Sequence, residues 1–186
     1  MNVQSLPSMT VDQFFDWCAT QERRFELVGG KPRMQPYVKH NHSTIVMNLS
    51  GTLWQRLDTD LYHIATSDFG VGTGDKLIRF PDVMVFRADT APEARVAADP
   101  ILIAEVLSET TLHVDFGEKR HEYLALDSLD SYLVLAQDKP AIWQWSRDAD
   151  GKWPDDPVIL EGLTAELVLT RFGLTVPLSR IYAGVN

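Results

Sequence analysis

Residues 101–107 constrain the fold more than any other part of the sequence. Six of these seven side chains are apolar, and the remaining one, Glu105, is a carboxylate. A continuous apolar run of this length is typical of a central strand that is buried on both faces of a sheet. Burying a carboxylate there is costly unless the group is protonated, paired with a cation or bound to a metal. The run therefore predicts a buried strand and a special role for Glu105.

Helical patterns precede and follow this strand. Thr10, with a glutamine three residues later, forms a capping box that predicts the start of a first helix. Residues 42–58 carry apolar side chains at helical spacing and predict a second helix. Either Thr110 or Thr111 would cap a third helix over 112–126, directly after the apolar strand.

Short apolar segments between turn residues predict the other strands of a mixed sheet. The glycine-rich residues 70–74 predict a hairpin turn, and residues 77–80 with 82–86 predict one interrupted strand. Further strands are predicted at 23–28, 61–67, 132–136, 141–146, 158–160, 166–169 and 174–176. Helices followed by strands with one crossover helix favour an α/β or α+β fold, a mixed central β-sheet flanked by helices. The length of 186 residues predicts a single domain over 1–186.

Composition limits the classes of partner. Seventeen basic and 26 acidic residues give a formal charge of -9, which disfavours a general nucleic-acid coat but allows an enzyme with a local basic patch. Residues 21–40 carry such an excess of basic side chains, which could face a phosphate backbone. Cys18 is the one cysteine, so a reducing, cytoplasmic location is expected. No run of 18 apolar residues occurs, and no membrane contact is expected.

Two carboxylates, one at the head of an apolar segment and one inside another, are the candidate chemical centre. Asp82 follows Pro81 at the head of one apolar segment, and Glu105 lies 23 residues later in the other. If these strands are neighbours, the two carboxylates converge and offer the hard oxygen ligands that Mg²⁺ accepts. A bound Mg²⁺ would activate a water and neutralise charge on a phosphoryl group. The alternatives are a proline-aspartate turn at Asp82 and a core ion pair of Glu105 with an arginine.

Lys119 is the candidate cationic group. Asp115 and Tyr123 lie four residues to either side of it, so all three share one face of the predicted helix. A lysine beside a metal site can position or deprotonate the attacking water, or stabilise developing negative charge. The alternative is a solvated pair of Asp115 with Lys119, worth about 0.3–0.5 kcal/mol. His40 and His42 have the spacing of a transition-metal pair, or of a polar helix start.

The order Pro81-Asp82, then Glu105-Val106, then Lys119 resembles the PD-(D/E)XK superfamily of restriction-endonuclease-like nucleases. More narrowly, the chain resembles the Uma-type family of that superfamily. The resemblance covers nearly the whole sequence and implies a restriction-endonuclease-like core with an N-terminal helix-hairpin-helix-like extension and C-terminal β-strands. It is carried further by Thr10 to Trp17, Arg24 to Val28, His42 with its apolar stripe, Tyr132 to Leu135, and Leu174 to Ile181.

The resemblance also implies roles for individual residues. Asp82 and Glu105 would be metal ligands, together with the carbonyl of Val106. The superfamily's lysine usually lies two residues after the glutamate, where this chain has Leu107, and Lys119 on the following helix would replace it. Glu26 would be a further acidic member of the catalytic group. Substrate contacts would come from His42, Tyr123 and Arg24.

The leading hypothesis is a Mg²⁺-dependent endonuclease that hydrolyses DNA phosphodiester bonds, with Mn²⁺ as a substitute cation. Cleavage of both strands of a duplex would favour a homodimer, and Trp143 with Trp145 would form either core or a dimer face. A catalytically silent interaction module on a nuclease scaffold is the alternative, because fold does not imply function. Hydrolysis of RNA or of a small phosphodiester is a third hypothesis.

Overall fold

The computed structural model describes residues 7–107 and 114–185. The helices are α1 (Val11–Cys18), α2 (His40–Arg56), α3 (Arg120–Leu124) and α4 (Leu178–Ile181), and a π-helical turn, Asp115–Lys119, leads directly into α3. The strands are β1 (Phe25–Val28), β2 (Lys31–Met34), β3 (Tyr62–Thr66), β4 (Gly70–Gly74), β5 (Leu77–Arg79), β6 (Val83–Arg87), β7 (Val96–Ala97), β8 (Pro100–Val106), β9 (Ser131–Leu135), β10 (Ala141–Ser146), β11 (Val158–Glu161), β12 (Glu166–Leu169) and β13 (Leu174–Pro177). None of the helices within these ranges is long and apolar enough to cross a bilayer.

A six-stranded mixed sheet with the order β11-β10-β9-β8-β6-β3 forms the centre of the fold. The apolar strand β8 lies inside it, parallel to β9 and antiparallel to β6. All seven residues of β8 are buried, as its uninterrupted apolar sequence predicts. The sheet thereby fixes Glu105 between two neighbouring strands.

Opposite faces of this sheet are covered by different elements. Alternate β8 residues, Leu102, Ala104 and Val106, face a core that includes the apolar stripe of α2 and residues of α4. On the other face, Tyr123 of α3 packs with Tyr132 of β9 and Trp145 of β10. Because side chains alternate along a strand, Glu105 points to this second, aromatic-rich side with Ile103.

A second sheet with the order β2-β1-β5-β4-β7 packs with α1. Thr10 caps α1 through the predicted capping box, and the buried Phe14 contacts a cluster that includes Leu27 and Ile78. Gly29 and Gly30 join β1 to β2 with φ values of 56° and 77°, a conformation that suits glycine in a tight hairpin. Helix, hairpin and helix thus follow one another along the N-terminal part, as expected.

Most predicted elements are confirmed, with three corrections. Residues 70–74 form the strand β4 and not a turn, because they pair with β5 on one side and β7 on the other. Residues 77–80 and 82–86 do not form one strand, since Pro81 separates β5 in the second sheet from β6 in the central sheet. Helix α2 begins at His40, two residues earlier than predicted. The proposed caps Thr110 and Thr111 lie outside the described residues.

The two tryptophans of β10 belong to the interior. Trp145 is 2% exposed, and Trp143 packs partly buried against the same core. Phe116 contacts both rings edge-on, with centroid distances of 5.2 and 5.9 Å. The structure therefore supports the core assignment of this pair.

We expect Gly70→Ala to destabilise the fold by about 1–3 kcal/mol, because an added methyl group overpacks β4. A Cβ at Gly70 would lie 3.2 Å from Ile78 Cγ2 and 3.3 Å from the Arg79 carbonyl oxygen. Gly72→Ala is the matched control, since its nearest neighbour, Ile78 Cδ1, would lie at 3.8 Å. Urea unfolding of both variants measures the difference, and equal free energies of unfolding would contradict the packing assigned to β4.

Candidate active site

An open cleft of about 560 Å³ lies where the end of β8 meets the start of β6, beside the first turns of α2. Its base is formed by Asp82, Glu105, Val106, Asp115 and Lys119. These residues come from three separate segments of the chain. The cleft therefore exists only because the central sheet and the π-helical turn bring the segments together.

Asp82 is fixed at the start of β6 by two contacts. Its Oδ2 accepts a hydrogen bond from the Val106 backbone N–H at 2.8 Å and lies 3.0 Å from His42 Nε2. The β6–β8 register pairs Val83 with Ala104, so the next pair places Asp82 opposite Glu105. The predicted convergence of these two carboxylates follows from antiparallel pairing of their strands.

Glu105 is the most electrostatically perturbed acid of the site. Its Oε1 accepts hydrogen bonds from Lys119 Nζ at 3.0 Å and from the Tyr123 hydroxyl at 2.8 Å. Burial raises the pKa of Glu105 to about 8; the Lys119 charge opposes this shift, and nearby carboxylates, Asp82 first among them, reinforce it. The core ion pair considered for Glu105 is therefore made with a lysine and not with an arginine.

Lys119 lies at the centre of a buried acidic cluster. Its Nζ is 3.0 Å from Glu105, 3.4 Å from Asp115 Oδ1 and 3.6 Å from Glu26 Oε1. Burial alone would lower the pKa of Lys119, but the surrounding carboxylates, led by Glu105, outweigh it and hold the pKa above its ordinary value. The surrounding carboxylates therefore favour the charged form of Lys119 in the metal-free protein. The solvated Asp115–Lys119 pair considered from the sequence is excluded, because Asp115 is 1% and Lys119 7% exposed.

Local helix geometry explains why these groups converge. Asp115, Lys119 and Tyr123 recur every four residues through the π-helical turn and α3, so they project to one side, towards β8. π-helical turns are often found at functional sites. The sequence pattern thus predicted the shared face, although not the wider turn.

Arg79 is a member of the network that sequence reasoning missed. It is fully buried, and its Nη1 donates to Glu26 Oε2 at 2.8 Å. Its Nε and Nη2 donate to both oxygens of Glu122, at 2.8 and 2.7 Å. Glu26 is thereby held by Arg79, while its Oε1 is buried without a hydrogen bond and faces Lys119. An arginine inside the apolar segment 77–80 was the available signal, by the same reasoning that singled out Glu105.

The three predicted substrate-binding residues have different positions. His42 lines the cleft but contacts Asp82 through Nε2, whereas His40 is exposed at the start of α2, so the histidine pair does not converge. Arg24 also lines the cleft; it is exposed and forms an ion pair with Asp68 at 2.7 Å. Tyr123 is fully buried and donates to Glu105, so its position is that of a group that orients the carboxylate.

The donor set at the cleft base fits a hard divalent cation. Three carboxylates, those of Glu26, Glu105 and Asp115, lie within 3.6 Å of Lys119 Nζ, and Asp82 lines the same cleft. Arg79 offsets this negative charge only in part, because it is shared with the further carboxylate of Glu122. Asp82 Oδ1 and Glu105 Oε2 make no hydrogen bond to any residue in the described ranges. In the part of the chain that the structure describes, no group of three or more histidine, cysteine, aspartate or glutamate side chains is placed to hold a metal ion by itself. Mg²⁺ is commonly held by one or two carboxylates with waters and substrate phosphates, which matches this set.

We expect Lys119→Ala to destabilise the metal-free protein by about 3–5 kcal/mol, because it leaves several buried carboxylates without their shared cation. Adding Glu105→Gln should recover part of that loss by removing one of these charges. Lys139→Ala is the control, since this exposed lysine pairs with Glu161 at the surface and should cost less than about 1 kcal/mol.

Chemical denaturation of the single and double variants measures these differences. A loss from Lys119→Ala as small as that from Lys139→Ala would contradict the central position of Lys119. So would a double variant less stable than Lys119→Ala alone.

Comparisons with known proteins agree with this fold. An uncharacterised protein of Synechocystis sp. is 25% identical over 192 residues, which covers 96% of this chain and 94% of the relative. A second uncharacterised Synechocystis protein is 29% identical over 117 residues, covering 61% of this chain and 66% of its own length. A crystal structure from Anabaena variabilis, described as a "putative nuclease belonging to DUF820", superposes with a TM-score of 0.74 at 15% identity. It covers 94% of this chain and 98% of that chain, and so confirms the mixed α+β fold.

A family model assigns the chain independently of these single proteins. The model named Uma2, described as "Putative restriction endonuclease", matches residues 11–178. This range contains α1, the central sheet and every member of the acidic cluster. The resemblance carried by Asp82, Glu105 and Lys119 is thereby confirmed at the level of the family, and the chain belongs to the Uma2 family.

Proposed function

We propose that this protein is a Mg²⁺-dependent endonuclease that hydrolyses DNA phosphodiester bonds. The observation that carries the proposal is the meeting of Asp82, Glu105 and Lys119 at the base of one open cleft. Family membership supports a nuclease, and the chemistry of the cleft supports a metal-assisted one. Mn²⁺ offers the same hard-ligand chemistry and would substitute for Mg²⁺.

In this proposal the cation is held by Asp82, by Glu105 and by the backbone carbonyl of Val106. When bound, it would activate a water and neutralise charge on the phosphoryl group. Excess negative charge supplies the affinity for the cation. The carboxylates around Lys119, including Glu105, outnumber this one lysine. The raised pKa of Glu105 has the same origin, since burial and neighbouring acids both disfavour its ionised form without a further cation.

The remaining residues orient the ligands. The Val106 N–H and His42 both engage Asp82 Oδ2. The other oxygen, Oδ1, has no hydrogen-bond partner among the described residues. Tyr123 and Lys119 both engage Glu105 Oε1, and Oε2 has no partner among the residues that the structure describes. In each carboxylate, hydrogen bonds hold one oxygen and thereby fix the direction of the other, which is the oxygen presented to the cation. Because the ligands are already oriented, ordering the site costs less free energy.

Lys119 has an electrostatic role in this mechanism. Its raised pKa keeps it protonated at neutral pH, so it is a poor base for removing a proton from water. A permanent cation at the cleft base instead stabilises the negative charge that develops on the phosphoryl oxygens. Glu26, held by Arg79, keeps the lysine charged and in position without itself lining the cleft.

We expect Asp82→Asn and Glu105→Gln each to lower the rate of DNA cleavage by about 100-fold or more, because each isosteric change removes a charged cation ligand. The substitutions preserve side-chain volume, so the fold should persist. Cleavage of a labelled DNA with Mg²⁺, at equal concentrations of folded protein, measures the effect.

Glu161→Gln provides the matched control for this assay. Glu161 is an exposed acid on β11 that pairs with Lys139 and does not line the cleft. Its cleavage rate should equal that of the wild type. Full activity of either Asp82→Asn or Glu105→Gln would remove that residue from the proposed mechanism.

A further inference from the structure

Tyr37 is the most exposed aromatic feature of the cleft. Its side chain lies among the residues that line the cavity, and the residue is 81% exposed. The Arg23 guanidinium carbon lies 4.1 Å from the centre of the ring and covers one of its faces. The opposite face is therefore open to solvent.

The hairpin explains how this pair is positioned. Arg23 lies just before β1, and Tyr37 lies just after β2, so the antiparallel pairing of these strands brings their outer ends together. The Gln35 N–H donates to the Arg24 carbonyl at 2.9 Å and extends the pairing beyond the strands. Pro36 then restricts the backbone directly before Tyr37. The backbone on the N-terminal side of Tyr37 is thus held in place, and stacking with Arg23 orients the ring.

The chemical groups of the cleft lie well below this rim. Glu105 is 3% exposed, Lys119 7%, and the Asp82 side chain 15%. A phosphate that reaches them must enter the cavity that Tyr37 also lines. A single strand can bend into such a recess, whereas a duplex carries its second strand along with it. The depth of the site therefore favours an unpaired segment.

The charges at the rim suit a phosphate chain. Arg23 and Arg24 both line the cleft, with Glu22 as the acidic neighbour. Arg24 is paired with Asp68, but both side chains are largely exposed, at 60% and 77%. Exposed pairs of this kind are worth about 0–1 kcal/mol, so a phosphate can replace Asp68 as the partner of Arg24. Basic side chains interleaved with exposed aromatic rings are the usual surface for single-stranded nucleic acid.

We propose that Tyr37, supported by Arg23, is a stacking platform for an unpaired base of the DNA strand whose phosphate enters the cleft. The substrate is then single-stranded DNA, or DNA unpaired at the point of cleavage. This inference rests on the proposed nuclease function and specifies its substrate class. Stacking is sequence-tolerant, so Tyr37 contributes affinity for unpaired strands and not a base preference.

Fluorescence anisotropy in metal-free buffer of low ionic strength tests this inference without requiring cleavage. The probes are a labelled 15-nucleotide single strand and the same strand annealed to its complement. We expect the wild type to bind the single strand more tightly than the duplex. Tyr37→Ala should weaken single-strand binding by about 5- to 150-fold, the range for loss of one stacked base. Tyr37→Phe keeps the ring and should stay within about 2-fold of the wild type.

Trp54→Ala is the control for general loss of exposed aromatic surface. Trp54 is 59% exposed on α2 and does not line the cleft, so its removal should not change binding. Tighter binding of the duplex, or equal single-strand affinities for the wild type and Tyr37→Ala, would overturn the inference. Tyr37-dependent binding, with no cleavage of the same strands after Mg²⁺ or Mn²⁺ is added, would leave the platform standing and refute the nuclease chemistry. Cleavage at the same rate by the wild type and Tyr37→Ala would support the nuclease chemistry and refute the platform.

Discussion

The site depends on one electrostatic arrangement, in which a single buried lysine is shared by several buried carboxylates. Lys119 Nζ lies within 3.6 Å of Glu105, Asp115 and Glu26. Burying so many acids around one amine is costly, and a soluble domain gains little stability from it compared with an apolar core. The arrangement is explained if a further cation and a substrate phosphate complete it. Stability and chemistry at this cleft are therefore consequences of the same charge imbalance.

Each layer of the fold contributes to holding that arrangement. The central sheet sets Asp82 opposite Glu105, and the π-helical turn places Lys119 against Glu105. The second sheet supplies Glu26 and its partner Arg79. Glu26 lies 3.6 Å from Lys119 Nζ, and this contact connects the second sheet to the residues of the cleft. Because different layers supply different side chains, the residues around the cleft come from distant parts of the sequence. The second sheet also places the outer end of the N-terminal hairpin at the cleft, where Arg24 and Tyr37 are exposed to solvent.

The sequence predicted those features that depend on local periodicity. The buried strand around Glu105, the shared face of Asp115 and Lys119, and the capping box at Thr10 each follow from residue spacing alone. Residues 70–74 were misassigned because glycine is typical of turns, whereas here its small size lets β4 pair closely with its neighbours. Arg79 was missed because its importance comes from long-range pairing, which one-dimensional patterns do not encode. The nuclease assignment gained its strength from family resemblance, since two carboxylates and a lysine by themselves allow several chemistries.

Calorimetric titration of Mg²⁺ and Mn²⁺ into the wild-type protein, Glu105→Gln and Glu161→Gln tests the central claim most directly. The charge imbalance predicts binding to the wild type and to the surface variant Glu161→Gln, and loss of binding in Glu105→Gln. A repeat with a single-stranded oligonucleotide present supplies the phosphates that often complete a Mg²⁺ site. Absence of binding to the wild type under both conditions, or equal binding by Glu105→Gln, would contradict the claim that the acidic cluster is a cation site.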